Sequence, residues 1–427
     1  MANLGLIEEI PSISDLYPQR CNVSTPSSTV TLFWCFGCLV AFAYLVYPIL
    51  ILALARLFGR TPVPTVPAES ALPVVSLLIA AHNEEVDIEA RILNALSLKY
   101  PAGKLEIVIA SDGSTDGTNE IVRRYTGSGV QLFAYEKNRG KAAVLNESVG
   151  RLRGEIVILS DANTHMAPDA ALRLAAWFPL KDVGVVCGRL VLNDPLTGRN
   201  VDSVYWKYET FLKKCESRLG ALLGSNGAIY AIRKDLFPVI IPGTLIDDFV
   251  IPLEAKRRSG CRIVYDTHAI AYEETAPTIL AEFRRRVRIG AGGFQSIGML
   301  WPLLSPVHGW VSLTFFCHKI LRWGCPFLLI GMLVANLLLI ADPLYAWMLG
   351  GQSAFYALSL VGNWIPVRPR ILRYLRLPTM FSTMNLALFI GFFRWLRGGQ
   401  TGIWTRTNRS GEDMRKQTQI QHPVGVN

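Results

Sequence analysis

The chain has 427 residues, a length that accommodates two or three domains. Hydrophobic residues make up 51% and charged residues only 18% of the sequence, and the mean hydropathy is +0.30, so we expect part of the chain to lie in a lipid bilayer. The formal net charge is +10, but the arginines gather beside apolar segments and form no basic stripe interleaved with aromatic residues, which argues against nucleic acid as a partner.

The first long segment is apolar, with no charged residue between Arg20 and Arg56. It exceeds the roughly 20 residues that a helix needs to cross the hydrocarbon core, so residues 29–57 are predicted to form a transmembrane helix. Acidic residues precede the segment and it is longer than a signal peptide, so we expect it to be retained. Residues 1–28 then form a non-cytoplasmic segment, and the proline-rich residues 58–73 form a linker.

A different pattern follows over residues 74–298. Short β-branched runs alternate with amphipathic stretches, and the runs read "VVSLLIAA", "EIVIASDGS", "VQLFAY", "EIVILSDAN" and "VGVVCGRLVL". This alternation is typical of βαβ units around a mainly parallel sheet. We predict a water-facing α/β domain with a Rossmann-like sheet.

The remaining chain is again apolar. Residues 299–322 mix apolar residues with histidines and a lysine, which favours an amphipathic helix at the membrane interface. Residues 323–397 are predicted to hold transmembrane or interfacial helices, with a turn at "ADPLY". Flanking arginines place the α/β domain in the cytoplasm by the positive-inside rule. The side of the membrane on which the tail, residues 398–427, lies is left open by the borderline length of the apolar run 377–393.

Polar segments follow three of the predicted strands, where open α/β sheets bind ligands. These segments are "AAHNEE", "SDGSTDGT" and "SDANT". Asp161 and Asn163 in the third segment could hold a hard divalent cation, which in turn would bind phosphate oxygens. No G-x-G-x-x-G follows a strand, so a dinucleotide-binding dehydrogenase is not expected.

A basic segment, "EKNRGKAAVLNESV", lies between the second and third of these. Arg139, Gly140 and Lys141 open a predicted helix, and a helix start with basic residues attracts phosphate groups. Each segment taken alone would be ordinary for a surface loop. Together they supply an acid, a cation and a second acid at one edge of the sheet, which favours a shared site for a phosphate-bearing ligand.

The order of the motifs resembles the inverting glycosyltransferases of family 2, in particular the membrane-embedded synthases of cellulose, chitin, hyaluronan and poly-N-acetylglucosamine. The matching segments are "AAHNEE", "SDGSTDGT", "NRGKAAVLN", "SDANT", "GSNGAIYAIR", "IDDF" and "RRVRI". The resemblance implies a cytoplasmic domain of GT-A fold inserted between transmembrane helices of a bacterial inner membrane. It also implies a nucleotide-sugar donor, usually a UDP-sugar, bound with Mg or Mn, a polysaccharide or lipid-linked acceptor, and it leaves room for a periplasmic export partner.

The same resemblance assigns residues to the donor site. Those expected to bind the nucleotide sugar are Ala81, Asn83, Glu84, Asp112, Lys141, Asp161, Trp404 and Arg409. Asp161 and Asn163 take the place of the metal-binding D-x-D motif, in which the family often has a second aspartate where Asn163 stands.

The catalytic base is expected in "GTLIDDFV", where the family has its T-E-D or E-D-D signature. Asp248 matches the general base and Asp247 matches the acid before it. Direct inversion needs a carboxylate that takes the proton from the acceptor hydroxyl. The two acids could instead serve only to cap the helix that follows them.

The arginine-rich stretch "FRRRVRIGAGGFQ" carries the last match. Arg288 keeps the arginine of the family's Q-x-x-R-W motif and is expected near the donor diphosphate, as a third catalytic residue. Arg285 and Ile289 replace the glutamine and the tryptophan, which puts the acceptor site and processivity in question. Gly227 and Tyr230, together with Arg285, match the acceptor pocket.

Three functions therefore compete. The leading one is a membrane-bound inverting glycosyltransferase that extends a polysaccharide or glycan in β linkage from a UDP-sugar such as UDP-GlcNAc or UDP-Glc. The second is a transferase that adds a single sugar to a polyprenyl-linked acceptor, which the substitutions at Arg285 and Ile289 favour. The third is a membrane protein that binds a nucleotide sugar without turning it over.

Overall fold

The computed structural model describes residues 27–61, 63–64, 68–193, 204–275, 278–362 and 376–398. Most of the predicted segment 1–28 and the whole tail from residue 399, with Trp404 and Arg409, lie outside the described residues.

The described chain alternates helices and strands and then becomes helical. The elements are α1 (Ser27–Ala41), α2 (Tyr47–Leu57), β1 (Val75–Ala81), α3 (Ile88–Leu96), β2 (Leu105–Asp112), α4 (Thr118–Arg124), β3 (Val130–Tyr135), α5 (Lys141–Arg151), β4 (Ile156–Asp161), β5 (His165–Met166), α6 (Ala170–Ala175), β6 (Val183–Asn193), α7 (Val204–Arg218), β7 (Tyr230–Arg233), α8 (Asp247–Ser259), β8 (Arg262–Glu274), α9 (Ile279–Leu300), α10 (Trp310–Thr314), α11 (Leu321–Leu338), α12 (Pro343–Val361) and α13 (Leu377–Leu396).

The strands form one eight-stranded sheet in the order β3-β2-β1-β4-β7-β6-β8-β5. Strands β3, β2, β1 and β4 are parallel neighbours, and β6 is parallel to β8. Strand β7 is antiparallel to both β4 and β6, and β5 is antiparallel to β8. The mainly parallel α/β fold and its five predicted strands are confirmed; β5, β7 and β8 were not among those predicted.

Helices cover both faces of the sheet. On one face Ile88 and Ile92 of α3 pack with Leu77 and Ile79 of β1. On the other face Leu78 of β1 packs in a cluster with residues of α5 and α8. All seven residues of β1 are buried, as expected for a parallel strand covered on both sides. The core therefore holds the carboxyl ends of β1, β2 and β4 in fixed positions along one edge.

Two helices among the described residues are long and apolar enough to cross a membrane, judged by length and composition. One is Ser27–Leu57, in which a π-helical turn, Phe42–Val46, joins α1 to α2. The other is Trp310–Leu338, in which a second π-helical turn, Phe315–Ile320, joins α10 to α11. They pack closely, because a Cβ on Gly331 would lie 2.7 Å from the ring of Phe36.

The structure differs from the separate amphipathic helix that was predicted at residues 299–322. Residues 301–304 and 306–308 form 3-10 turns, and Trp310 begins a helix that continues to Leu338. Of the polar residues behind that prediction, His318 is paired inside the protein, with Nδ1 2.6 Å from Glu216 Oε1. Arg322, one turn further along the helix, has its Nη1 2.5 Å from Glu209 Oε1.

These ion pairs connect the α/β domain to both apolar helices. Glu209 and Glu216 belong to α7, and Glu216 also accepts a hydrogen bond from the Tyr47 hydroxyl of α2 at 2.8 Å. The carboxylates are buried, and buried charges require such partners. These contacts hold helix α7 in a defined position against the two apolar helices.

Candidate active site

The loop after β1 is braced against the loop after β2. Asn83 has a φ of +54°, the only positive φ of a non-glycine among the described residues. Its side-chain oxygen accepts from Thr115 N at 2.8 Å, and its own N–H donates to Ser114 Oγ at 3.1 Å. A residue in this conformation stores strain and is frequent at functional sites. Ala81 and Glu84 flank this loop; Ala81 is buried, and Glu84 N donates to Thr118 Oγ1.

Asp112, at the end of β2, holds the basic loop in place. Its two carboxylate oxygens accept from Arg139 N at 2.9 Å and from Gly140 N at 2.7 Å. The side chain is buried, so its first role in the described structure is to orient the start of α5. His82 Nδ1 lies 2.6 Å from the Asp112 carbonyl oxygen and its Nε2 lies 3.0 Å from Asn138 Nδ2, so it joins the same three loops.

Lys141, the first residue of α5, bridges two acids from different elements. Its ammonium lies 2.8 Å from Asp161 Oδ1 at the end of β4 and 3.2 Å from Asp247 Oδ2 at the start of α8. Burial acts to lower the pKa of Lys141, but the carboxylates of Asp161 and Asp247 together raise it above its ordinary value. The lysine is therefore charged, and it draws together two acids that the sequence analysis had assigned to separate motifs.

Asp248 is held from both ends by the segment before β7. Gly227 N donates to Asp248 Oδ2 at 3.0 Å, and Ser225 donates to the Asp248 carbonyl oxygen through both its N–H and its hydroxyl. A Cβ at position 227 would lie 3.4 Å from Asp248 Oδ2 and 3.5 Å from Asp161 Oδ2. Gly227 thus lies between the two carboxylates, and a side chain there would fill the space between them.

The surroundings of the Asp248 side chain favour a role as a general base over a role in capping helix α8. Burial raises the pKa of its carboxyl, the charge of Asp247 raises it further, and Lys141 opposes both effects. The N-cap position of α8, Ile246, makes no side-chain capping bond, and the Asp248 carboxylate accepts from Gly227 instead. A carboxylate with an elevated pKa accepts a proton more readily near neutral pH. The helix-capping interpretation of the two acids is therefore not what the geometry favours.

The metal prediction rests on the chemistry of the oxygen donors. Asp161, Asp247 and Asp248 carry three carboxylates around one lysine, an excess of negative charge that suits a hard divalent cation. The described residues contain no group of three or more His, Cys, Asp or Glu side chains at metal-binding separation. Asn163 is half-buried two residues after Asp161. These carboxylates therefore do not form a complete cation site by themselves, and a cation at Asp161 would need further oxygen ligands.

The remaining predicted residues differ in how far they enter this cluster. Tyr230 is fully buried on β7, where burial and then the charges of Asp247 and Asp248 raise the pKa of its hydroxyl. Arg285 lies on α9, with its guanidinium 3.6 Å from Glu282. Arg288 is exposed on the same helix, one turn before Gly292, whose Cβ would lie 2.8 Å from Ile246 beside the acid pair.

Sequence analysis did not single out Arg91. This arginine of α3 is fully buried and donates to the Asp161 carbonyl oxygen at 3.4 Å, to Ser160 Oγ at 3.2 Å and to Asn94 Oδ1 at 3.0 Å. Burial lowers the pKa of its guanidinium to about 9. A charged residue on the apolar face of an amphipathic helix was the signal that could have revealed it.

Comparisons with known proteins show what this chain is similar to. The model of the family described as "Glycosyl transferase family 2" matches residues 76–236. The chain is 26% identical over 271 residues to the beta-monoglucosyldiacylglycerol synthase of Nostoc sp., covering 59% of this chain and 56% of the relative. It is 27% identical over 236 residues to the poly-beta-1,6-N-acetyl-D-glucosamine synthase of Staphylococcus aureus strain COL, covering 52% and 55%. The chain thus spans about half the length of these curated relatives.

A solved structure shares the fold. The mannosyltransferase PcManGT from Pyrobaculum calidifontis, in complex with GDP-Man and Mn2+, superimposes with a TM-score of 0.64 at 21% identity, and the match covers 86% of this chain and 100% of that one. The coverage includes regions on both sides of the family-matched residues, so the likeness in fold is not confined to the α/β domain.

Proposed function

We propose that the chain is an inverting enzyme that transfers a sugar from a nucleotide sugar, with Asp248 as the general base; the match of residues 76–236 to the model of glycosyl transferase family 2 supports this. The observation that carries the proposal is the position of Asp248. Its carboxylate is oriented by the Gly227 N–H and lies across Gly227 from Asp161. An acceptor hydroxyl placed there would lose its proton to Asp248 as its oxygen attacks the anomeric carbon.

The donor would lie along the edge formed by the loops after β1, β2 and β4. Asn83, Glu84 and Asp112 would line the nucleotide part, and we propose a UDP-sugar. Lys141 lies where its charge would compensate a diphosphate leaving group, since fixed charges at a developing anion lower the barrier. Asp161, with Asn163 beside it, would hold Mg or Mn, which supplies charge neutralisation for the diphosphate when bound. Arg288 of α9 would approach the donor diphosphate as well.

We further propose that the enzyme acts at the cytoplasmic face of a bacterial inner membrane, with the two long apolar helices as spans. Their length and composition support this. The product would be a polysaccharide or glycan in β linkage, and the resemblance to the poly-beta-1,6-N-acetyl-D-glucosamine synthase supports it. Two sets of site residues stay predictions from the sequence: Trp404 and Arg409 for the donor, and Tyr230 and Arg285 for the acceptor. The export partner is likewise a prediction.

A second candidate is single addition to a lipid-linked acceptor. Arg285 and Ile289 stand where synthases of the resembling family have glutamine and tryptophan, and one relative is named for a glycosylated diacylglycerol. Both candidates use the same base and donor site. They differ in whether the glycosylated product binds again as the acceptor for the next sugar.

The test uses the full chain purified in detergent with Mn or Mg. Release of UDP is followed with a panel of UDP-sugars, beside an Asp248→Asn variant. Turnover of a donor by the wild type that the variant loses supports the transferase, and the size of the labelled product then separates a polymer from a single addition. Binding of a UDP-sugar without turnover, with membrane lipids present, would overturn the proposal in favour of a binding protein.

A further inference from the structure

Lys213 of α7 is a half-buried cation close to the proposed base, outside every motif that the sequence analysis assigned. Its ammonium donates to Asn226 Oδ1 at 2.5 Å and lies 5.8 Å from the centre of the Tyr265 ring. Both of these partners are neutral. Burial opposes the charge of this ammonium, whereas surrounding groups that include Glu209 and Asp248 favour the charged form.

Asn226 transmits the position of Lys213 to the base. Its amide nitrogen donates to the Gly188 carbonyl oxygen of β6 at 2.6 Å, so the side chain is fixed from both ends. The next residue is Gly227, whose N–H donates to Asp248 Oδ2 at 3.0 Å. A shift of Asn226 would therefore move the hydrogen bond that orients the carboxylate.

The neighbours of Asn226 and Gly227 in this segment are also hydrogen-bonded. The residue before Asn226 is Ser225, whose N–H and hydroxyl both donate to the Asp248 carbonyl oxygen. The residue after Gly227 is Ala228, whose carbonyl oxygen accepts from Ser160 Oγ at 2.8 Å. Asn226 links this segment to α7 through Lys213.

We propose that Lys213 is a positioning residue for the transfer reaction: through Asn226 it holds the Gly227 N–H on Asp248. The inference rests on the proposed function, because it assigns Lys213 a part only if Asp248 takes the acceptor proton. Lys141 and Lys213 then act on the acid pair through different partners. Lys141 contacts Asp161 and Asp247, whereas Lys213 reaches Asp248 through the backbone that binds it.

The experiment compares Lys213→Met and Lys213→Arg with the wild type, and uses Lys214→Met, the exposed neighbour on the same helix, as the control. Steady-state kinetics of UDP release are measured across pH on the full chain in detergent, with thermal unfolding of each variant. For Lys213→Met we expect kcat to fall about 10- to 100-fold, as for other small displacements of a catalytic group, with the donor KM little changed.

Lys213→Arg should recover part of kcat, because a charged donor to Asn226 is kept. An unchanged kcat in Lys213→Met, or a loss that appears only in thermal unfolding and in the donor KM, would overturn the inference. Failure of the proposed function looks different, since then the wild type itself releases no UDP, or Asp248→Asn keeps its turnover.

Discussion

Lys141 Nζ lies 2.8 Å from Asp161 Oδ1, so the first residue of α5 is bound to the last residue of β4. The same ammonium reaches Asp247 at 3.2 Å. One cation therefore joins the proposed metal-binding acid to the acid pair at the start of α8. This contact ties the donor side of the site to the side that holds the base.

Replacing this lysine should impair donor binding and turnover together. Lys141→Met removes the charge that offsets the carboxylates and the proposed diphosphate, so we expect kcat/KM for the nucleotide sugar to fall about 100- to 1,000-fold. The exposed Lys137, in the same loop, provides the matched control Lys137→Met, which should stay close to the wild type. Equal kinetics for the two variants would contradict a role of Lys141 in the site.

The pH profile should report the environment of Asp248. Burial and the charge of Asp247 raise the pKa of this carboxyl. The base must be ionised, so kcat/KM falls as the pH drops through that pKa, and the acidic limb should lie above the value of about 3.9 for an unperturbed aspartate.

The neighbouring acid allows this to be tested. Asp247→Asn removes a negative charge that raises the pKa of Asp248, so the acidic limb should move to lower pH. Asp235→Asn, at an exposed position of the same domain, should leave the limb in place. A limb that moves to higher pH in Asp247→Asn would show that another group titrates in the profile.

Asp248→Asn should abolish turnover without destabilising the protein. A raised pKa in the folded state means that the ionised carboxyl is less favourable there than in the unfolded chain. This penalty is full above the folded-state pKa and vanishes as the pH falls below the unfolded value. Asparagine keeps an oxygen for the Gly227 N–H and carries no charge, so at neutral pH the variant's Tm should equal or exceed that of the wild type. A markedly lower Tm would mean that lost activity reflects misfolding.

Gly113 and Gly103 form a matched pair for the loop after β2. Both have a positive φ, +61° and +75°, so alanine costs about 1 kcal/mol of backbone strain at either position. A Cβ on Gly113 would also lie 2.4 Å from Asn138 N, whereas nothing lies within 4 Å of one on Gly103.

Gly113→Ala should therefore lower both Tm and donor affinity, since it displaces the loop that leads to Lys141. Gly103→Ala should lower Tm slightly and leave donor binding intact. Nucleotide-sugar binding and thermal unfolding of both variants decide this, and equal donor affinities would show that the contact at Gly113 does not matter for the site.

Arg91→Met should destabilise the domain. The buried guanidinium makes three hydrogen bonds beneath Asp161, and leaving such buried acceptors unpaired costs about 1–3 kcal/mol. Arg123→Met is the control, because Arg123 is exposed on α4 and its loss should change stability by less than about 0.5 kcal/mol. Denaturant unfolding measures both, and equal midpoints for the two variants would argue against a role for the buried contacts.

The α/β class, five of the strands and the polar loops at their ends can be predicted from the sequence alone. These features are local, since hydrophobic periodicity indicates strands and the carboxyl ends of parallel strands share an edge. Asp112, Lys141 and Asp161 could be assigned to one edge for that reason. The long apolar helix at residues 29–57 was likewise visible, because hydropathy over a window needs no tertiary contact.

The contacts between groups of the site are visible only in the folded chain. The bonds of Lys141 to Asp247, of Gly227 to Asp248 and of Lys213 to Asn226 join residues brought together by chain folding, and no periodicity encodes them. The helix beginning at Trp310 was misjudged for the same reason. Hydropathy scores a histidine or an arginine by its type, whereas the energy of burying it depends on its partner, and those partners lie far away on α7.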